Sequence, residues 1–258
     1  MASLPVIRYG ETQMMTGPLF SCTAALFATL TLAAGKPAAP AAPPTPAASG
    51  ATTAVKDDAG VWATKVQKTY ESVKDLSADF EQVTRFKGAD KTGPKTTGTI
   101  EVKKPGKMRW EFVTPEKKSM ISNGKTLWMY DGEENQVVVN EFMQETTSVT
   151  GLNFLEGLGD LKKSFHVTLA SAPADTTLKD AVFLALEPKD AADVQFTNIL
   201  LAVDRKTGLA NEVFLTDPMG SVTRLTFTGL TRNKNLPDSR FDFEIPKGAE
   251  VIKPQLLQ

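Results

Sequence analysis

Residues 99–112 read TIEVKKPGKMRWEF, and sorting them by side settles most of the architecture. Pro105-Gly106 is turn chemistry, and the residues on both sides of it alternate with a period of two. Before the turn Ile100, Val102 and Lys104 share one face and Thr99, Glu101 and Lys103 the other. After it Met108, Trp110 and Phe112 share a face, opposed by Lys107, Arg109 and Glu111. Two such strands predict an antiparallel hairpin with one apolar and one charged side. Lys104 is the exception, a cation at the end of an apolar row. Physics alone gives it an ordinary role, with its stem packed on the rim and its ammonium reaching water.

The same alternation spreads outward. Leu76, Ala78 and Phe80 alternate with Ser77, Asp79 and Glu81. Eleven strand-like segments follow one another, beginning near residues 76, 96, 107, 118, 125, 135, 164, 181, 196, 209 and 220. Pro105-Gly106, Asn123-Gly124, Asp131-Gly132, Lys206-Thr207-Gly208 and Pro218-Met219-Gly220 supply hairpin turns between them. One helix precedes the strands, capped by Asp57 or Asp58, with Trp62, Val66, Tyr70 and Val73 on one stripe. A helical insertion over Thr146–Lys163, with Leu152, Leu155, Leu158 and Leu161 three apart, interrupts them. The expected fold is mainly β: a long antiparallel meander curled into a partial barrel, with helices against it.

The first 56 residues differ in composition. Leu19 to Ala34 is an uncharged apolar run, too short for the roughly 20 residues of a membrane-spanning helix. It suits a secretory signal over residues 1–35, with Met14 or Met15 as alternative starts. Residues 36–56 are a Pro/Ala-rich linker, and residues 57–258 form a single folded domain. Cys22 is the only cysteine, in a setting that loosely resembles a lipoprotein acylation site, but the apolar run follows it rather than preceding it. Export as an unanchored protein is the expectation, and cleavage after Ala34 leaves no thiol.

The composition narrows function as well. The chain is 41% hydrophobic with a formal net charge of −1, so no bulk charge draws it to nucleic acid. His166 is the only histidine and lies in an alternating segment, FHVTL, where a structural role is expected. No catalytic residue, metal site or cofactor is assigned, because the chain lacks a nucleophile motif, clustered His and Cys ligands, and a phosphate-binding glycine loop. The residues describe a binding protein.

Three stretches carry a specific resemblance. TIEVKKPGKMRWEF, then TPEKKSMISNGKTLWMYD at 114–131 and RFDFEIPKGAEVI at 240–252, following the helix and LSADFEQ, resemble the LolA family of periplasmic lipoprotein carriers. The resemblance runs from about residue 57 to 254. It implies an incomplete barrel of eleven antiparallel strands closed by helices, which shields the acyl chains of lipoproteins. Acylated lipoproteins pass from an inner-membrane ABC transporter to an outer-membrane receptor, so a monomer in the periplasm of a Gram-negative bacterium is implied. Lipid-binding residues would then be Phe80, Ile100, Val102, Met108, Trp110, Phe112, Met120 and Met129, with Met143 also suited to the cavity. Lys104 stands where the family has a lid-closing arginine directly before the proline, and Leu152, Leu155 and Leu158 belong to the lid. Lysine lacks the planar fork of arginine, which makes the lock looser. Two other readings are an anchored receptor or lipid-sensing envelope regulator of the same fold, and an envelope hydrolase.

Overall fold

Asp58 starts the first helix. Its backbone is extended and its carboxylate accepts the Val61 N–H at 3.0 Å, which satisfies one of the donors that a helix start leaves free. The computed structural model describes residues 58–89, 92–141, 158, 161–189 and 196–253. Helix α1 (Ala59–Ser72) buries Ala63, Val66 and Tyr70. Trp62, expected on that stripe, is only half-buried, and the Lys65 ammonium lies 4.7 Å from its ring. Tyr70 points inward. Its hydroxyl accepts the Ala210 N–H at 3.2 Å, and burial, opposed by that bond, pushes its pKa up to about 12.

Among the described residues twelve strands follow: β1 (Asp75–Arg85), β2 (Thr96–Lys103), β3 (Lys107–Thr114), β4 (Lys118–Asn123), β5 (Leu127–Asp131), β6 (Gln136–Asn140), β7 (Phe165–Ala170), β8 (Ala181–Pro188), β9 (Asn198–Asp204), β10 (Ala210–Thr216), β11 (Val222–Arg232) and β12 (Glu250–Ile252). They form one sheet in the order β12-β6-β5-β4-β3-β2-β1-β11-β10-β9-β8-β7. The first eleven match the segments expected from alternation and pair antiparallel. The twelfth was not anticipated. It is three residues long and pairs parallel with β6, Glu250 opposite Gln136 and Ile252 opposite Val138. Of the insertion expected at 146–163, the described part is Leu158, fully buried, and the start of the short helix α2 (Leu161–Ser164). Its remaining residues lie outside the described ones. His166 sits exposed on the edge strand β7 rather than in a packed structural role.

The sheet has an inner face, against which α1 packs, and an outer one. The main core lies on the inner face, where Val66 and Tyr70 of α1 join Leu76, Leu184, Leu201, Val213 and Phe227. A C-terminal strap covers part of the outer face. Its 3-10 turn (Asp238–Phe241) carries the fully buried Phe241, and Phe243 packs at 6.2 Å on Trp128 and 5.9 Å on Tyr130. Charge fastens the strap to the hairpin of 99–112. Arg240 grips Glu101 through two hydrogen bonds of 2.7 and 2.6 Å, while Lys103 and Lys107 meet Asp238 at 2.5 and 2.7 Å. Arg109 also donates to the Arg240 carbonyl at 3.0 Å. The cations of the hairpin's charged face are therefore tied to the strap, and Arg109 also to Glu111 at 2.5 Å, not left to solvent.

Candidate functional site

Cross-strand register brings the alternating residues together. Ile100, Trp110, Met120 and Met129 stand opposite one another in a row across β2 to β5. Val102, Met108, Ser122 and Leu127 form the neighbouring row. Phe80, Gly98 and Phe112 form a third. Gly98 is required there: a Cβ would lie 1.9 Å from the Glu111 carbonyl oxygen and 2.8 Å from the Phe80 ring. Without that side chain the flanking aromatics meet across the gap, Phe80 to Phe112 at 5.4 Å and Phe80 to Trp110 at 4.9 Å, both edge to face.

All eight residues expected to bind lipid thus share the inner face. Phe80, Ile100, Val102, Met108 and Trp110 are buried, whereas Phe112, Met120 and Met129 pack against them and stay half-exposed. Leu158 is buried in the same core. Leu152, Leu155 and Met143 lie outside the described residues.

Lys104 lies just past the end of β2, before a cis Lys104–Pro105 peptide. Its ammonium does not reach outward. It donates to the Tyr70 carbonyl in the last turn of α1 at 2.7 Å, and its main-chain N–H donates to the Lys74 carbonyl at 2.9 Å. Next to it the two hairpin turns touch: Gly106 has φ 65°, and a Cβ on it would come 3.2 Å from the Gly124 Cα. Ser122 bridges these turns by donating to the Gly106 carbonyl at 3.0 Å and accepting the Gly124 N–H at 3.1 Å.

An ion pair at the other end of the same face escaped the sequence reading. The register continues from Phe112 to Lys118 and Asp131. The Lys118 ammonium lies 3.0 Å from Asp131 and 2.7 Å from Glu116. Burial disfavours its charge, but its hydrogen bonds to Glu116 and Asp131 outweigh that and raise its pKa above the ordinary value. Asp131 moves the other way. Burial pushes its pKa up, and the hydrogen bonds it accepts from Lys118 and from the N–H groups of Glu134 and Glu133 bring it below 3.8. A charged pair closes the apolar rows at this end, as Lys104 does at the other. Among the described residues, no three His, Cys, Asp or Glu side chains gather as metal ligands.

Sequence reasoning also missed the inner lining beyond β1, including Leu184, Leu201, Val213 and Phe227. Strands β8 and β10 are buried on both sides, so their alternation is blurred: Val182, Phe183 and Leu184 are all covered.

The family model described as outer membrane lipoprotein carrier protein LolA matches residues 71–244. An outer-membrane lipoprotein carrier protein of Pseudomonas fluorescens is 30% identical over 201 residues, covering 78% of this chain and 92% of its own. The Chromobacterium violaceum protein of the same description is 32% identical over 179 residues, covering 69% of this chain and 81% of its own. The crystal structure of an uncharacterized conserved protein from Thermus thermophilus aligns with a TM-score of 0.49 at 16% identity, covering 76% of this chain and 99% of that one.

Proposed function

Because the chain belongs to the LolA family of outer membrane lipoprotein carrier proteins, we propose that its inner face holds the acyl chains of lipoproteins during passage across the periplasm. An inner-membrane ABC transporter hands the cargo on, and an outer-membrane receptor takes it. Residues 1–35 direct export, 36–56 form a linker, and the remainder works as a monomeric carrier without catalysis.

The observation that supports this most is the half-exposure of Phe112, Met120 and Met129 beside a continuous buried apolar surface. Flexible thioethers conform to disordered acyl chains. A chain of about 15 methylenes gains roughly 0.8 kcal/mol each on burial, about 12 kcal/mol in all. Three chains buried completely would exceed the practical affinity ceiling of about 20 kcal/mol, and cargo would never leave. A cover that must be displaced lowers the net affinity. The Lys104 contact to α1 suits that role, because breaking it costs part of what acyl burial gains.

Binding of a fluorescent acyl probe tests the assignment of the face. Met108→Glu puts a carboxylate into the apolar row and weakens binding about tenfold or more. Val113→Glu, at an outer-face position that is 54% exposed, leaves binding at the native level. Equal losses in the two variants would overturn the assignment.

A further inference from the structure

The outer flank of α1 and the turn between β9 and β10 border a groove of about 650 Å³. Lys65, Lys68, Lys206 and Arg232 line it, and no carboxylate does. The molecule as a whole carries a net charge of −1, so this concentration is local.

The polar groups of the groove divide into those already engaged and those that are not. Thr64 donates its hydroxyl to the Gly60 carbonyl, Thr69 to Thr207, and Ser72 to Thr69. Lys65 donates to the Arg205 carbonyl and lies over the Trp62 ring. Asp204, in the same turn, accepts from the N–H groups of Lys206 and Thr207 and from the Thr207 hydroxyl. These bonds, the Thr207 hydroxyl's first, hold its pKa below the usual carboxylate value. Its charge is thus spent within the turn. Lys68, Lys206 and Arg232 are exposed, and their side chains have no acceptor among the described residues. Three exposed cations without a side-chain hydrogen bond or ion pair among the described residues border one concavity, Lys206 also feeling the charge of Asp204 behind it, an arrangement that suits a multidentate oxyanion.

We propose that this groove binds the phosphate of an anionic phospholipid headgroup, resting the outer flank of α1 on a membrane surface. The wall of the groove favours lipid over free phosphate. Val61 lines it and is 66% exposed, an apolar contact that the glycerol–acyl boundary uses and a soluble ion does not. The proposal deepens the carrier reading by giving the helix tied to Lys104 a membrane-facing side. The binding itself does not depend on acyl carriage.

Vesicle flotation with the full chain and no cargo tests it. The protein associates with vesicles of phosphatidylglycerol in phosphatidylcholine, not with pure phosphatidylcholine, and added salt reverses the association. Lys68→Gln, Lys206→Gln and Arg232→Gln each lower the partition coefficient about fivefold. Val61→Ser lowers it further, whereas Lys125→Gln, outside the groove, leaves it unchanged. Failure of the native protein to float with anionic vesicles overturns the proposal, as does an equal loss with Lys125→Gln. Inorganic phosphate is titrated separately by NMR. Phosphate binding that the three substitutions abolish, without vesicle association, would identify a free-anion site and overturn the lipid assignment. A defect in acyl-probe binding with flotation intact would count against the carrier reading alone.

Discussion

The Lys104 ammonium and the Tyr70 carbonyl stand 2.7 Å apart, tying the turn between β2 and β3 to the last turn of the helix that lies over the inner face. The same carbonyl accepts the Val73 N–H at 3.2 Å, so the lysine adds to an ordinary helix end without replacing a bond in it. Removing the lysine therefore does not unwind α1. It leaves the helix less firmly held to the sheet.

Lys104→Leu keeps the apolar stem and deletes the charged donor, at a cost of roughly 1.5 kcal/mol to the covered state. The expected result is tighter retention of bound lipoprotein and about tenfold slower transfer to outer membranes, with the thermal midpoint lowered by about 3–6 °C. Lys104→Arg transfers at least as fast as the native protein, because the guanidinium offers more donors to the same carbonyl. Transfer of labelled lipoprotein to isolated outer membranes measures both. A native rate in Lys104→Leu would reduce the residue to a rim lysine.

Gly98→Ala forces a methyl group into the Glu111 carbonyl, where 1.9 Å is available. The β2–β3 ladder must shift, and overpacking of this kind costs about 1–3 kcal/mol. A lowered urea midpoint is expected, together with weaker acyl-probe binding as Phe80 and Phe112 separate. An unchanged midpoint would show that the bulge next to Thr97 relaxes freely.

Asp75 is 4% exposed, and its carboxylate accepts the N–H groups of Lys234 and Asn235 at 2.7 and 2.9 Å where the strap leaves β11. Asn233 and Asn235 both hold left-handed backbone there, with φ 57° and 59°. Asp75→Ala strands two donors and costs about 2 kcal/mol. Faster proteolysis within residues 233–252 than in the native protein is the expected readout.

The Lys118–Asp131 pair sets a pH dependence. Asp131 has a folded-state pKa depressed below 3.8, so its contribution is present above that value and is lost as pH falls through the depressed one. Lys118 has a raised pKa, so its contribution is present below 10.5 and is lost as pH rises through the raised value. Asp131→Asn should cost about 2 kcal/mol at neutral pH. The gap in urea midpoint between native protein and variant should narrow under acid and stay constant from about pH 5 to 9. A gap that does not narrow under acid would assign the cost to packing.

The candidate site was legible because one of its sides faces charge. Along β1 to β3 the opposite face carries Asp79, Glu101, Lys103, Lys107 and Arg109, so alternation stands out. On β8 to β10 both faces are covered. Glu212 illustrates this: it is fully buried on the outer side, where Thr176 and Thr177 from the loop before β8 donate to its carboxylate. A glutamate in that position reads as a solvent residue until the loop is placed over it. Lys118 and Asp131 misled for a related reason, since each flanks a turn in sequence and turns are ordinarily wet. Strand β12 was illegible because three residues carry no period, and its parallel partner lies more than a hundred positions earlier.

The unclosed sheet has one further consequence. In a closed barrel, strand number and stagger together fix the radius, so capacity is set when the chain folds. Here the ladder runs from β12 to β7 without joining its ends, and the curvature of the sheet is an independent variable. Bending an open ladder changes the width of its inner surface without requiring a ladder hydrogen bond to break. For the acyl-chain carrier proposed above, such an open container would have adjustable girth, and chains of different number and length could fill it without breaking its wall.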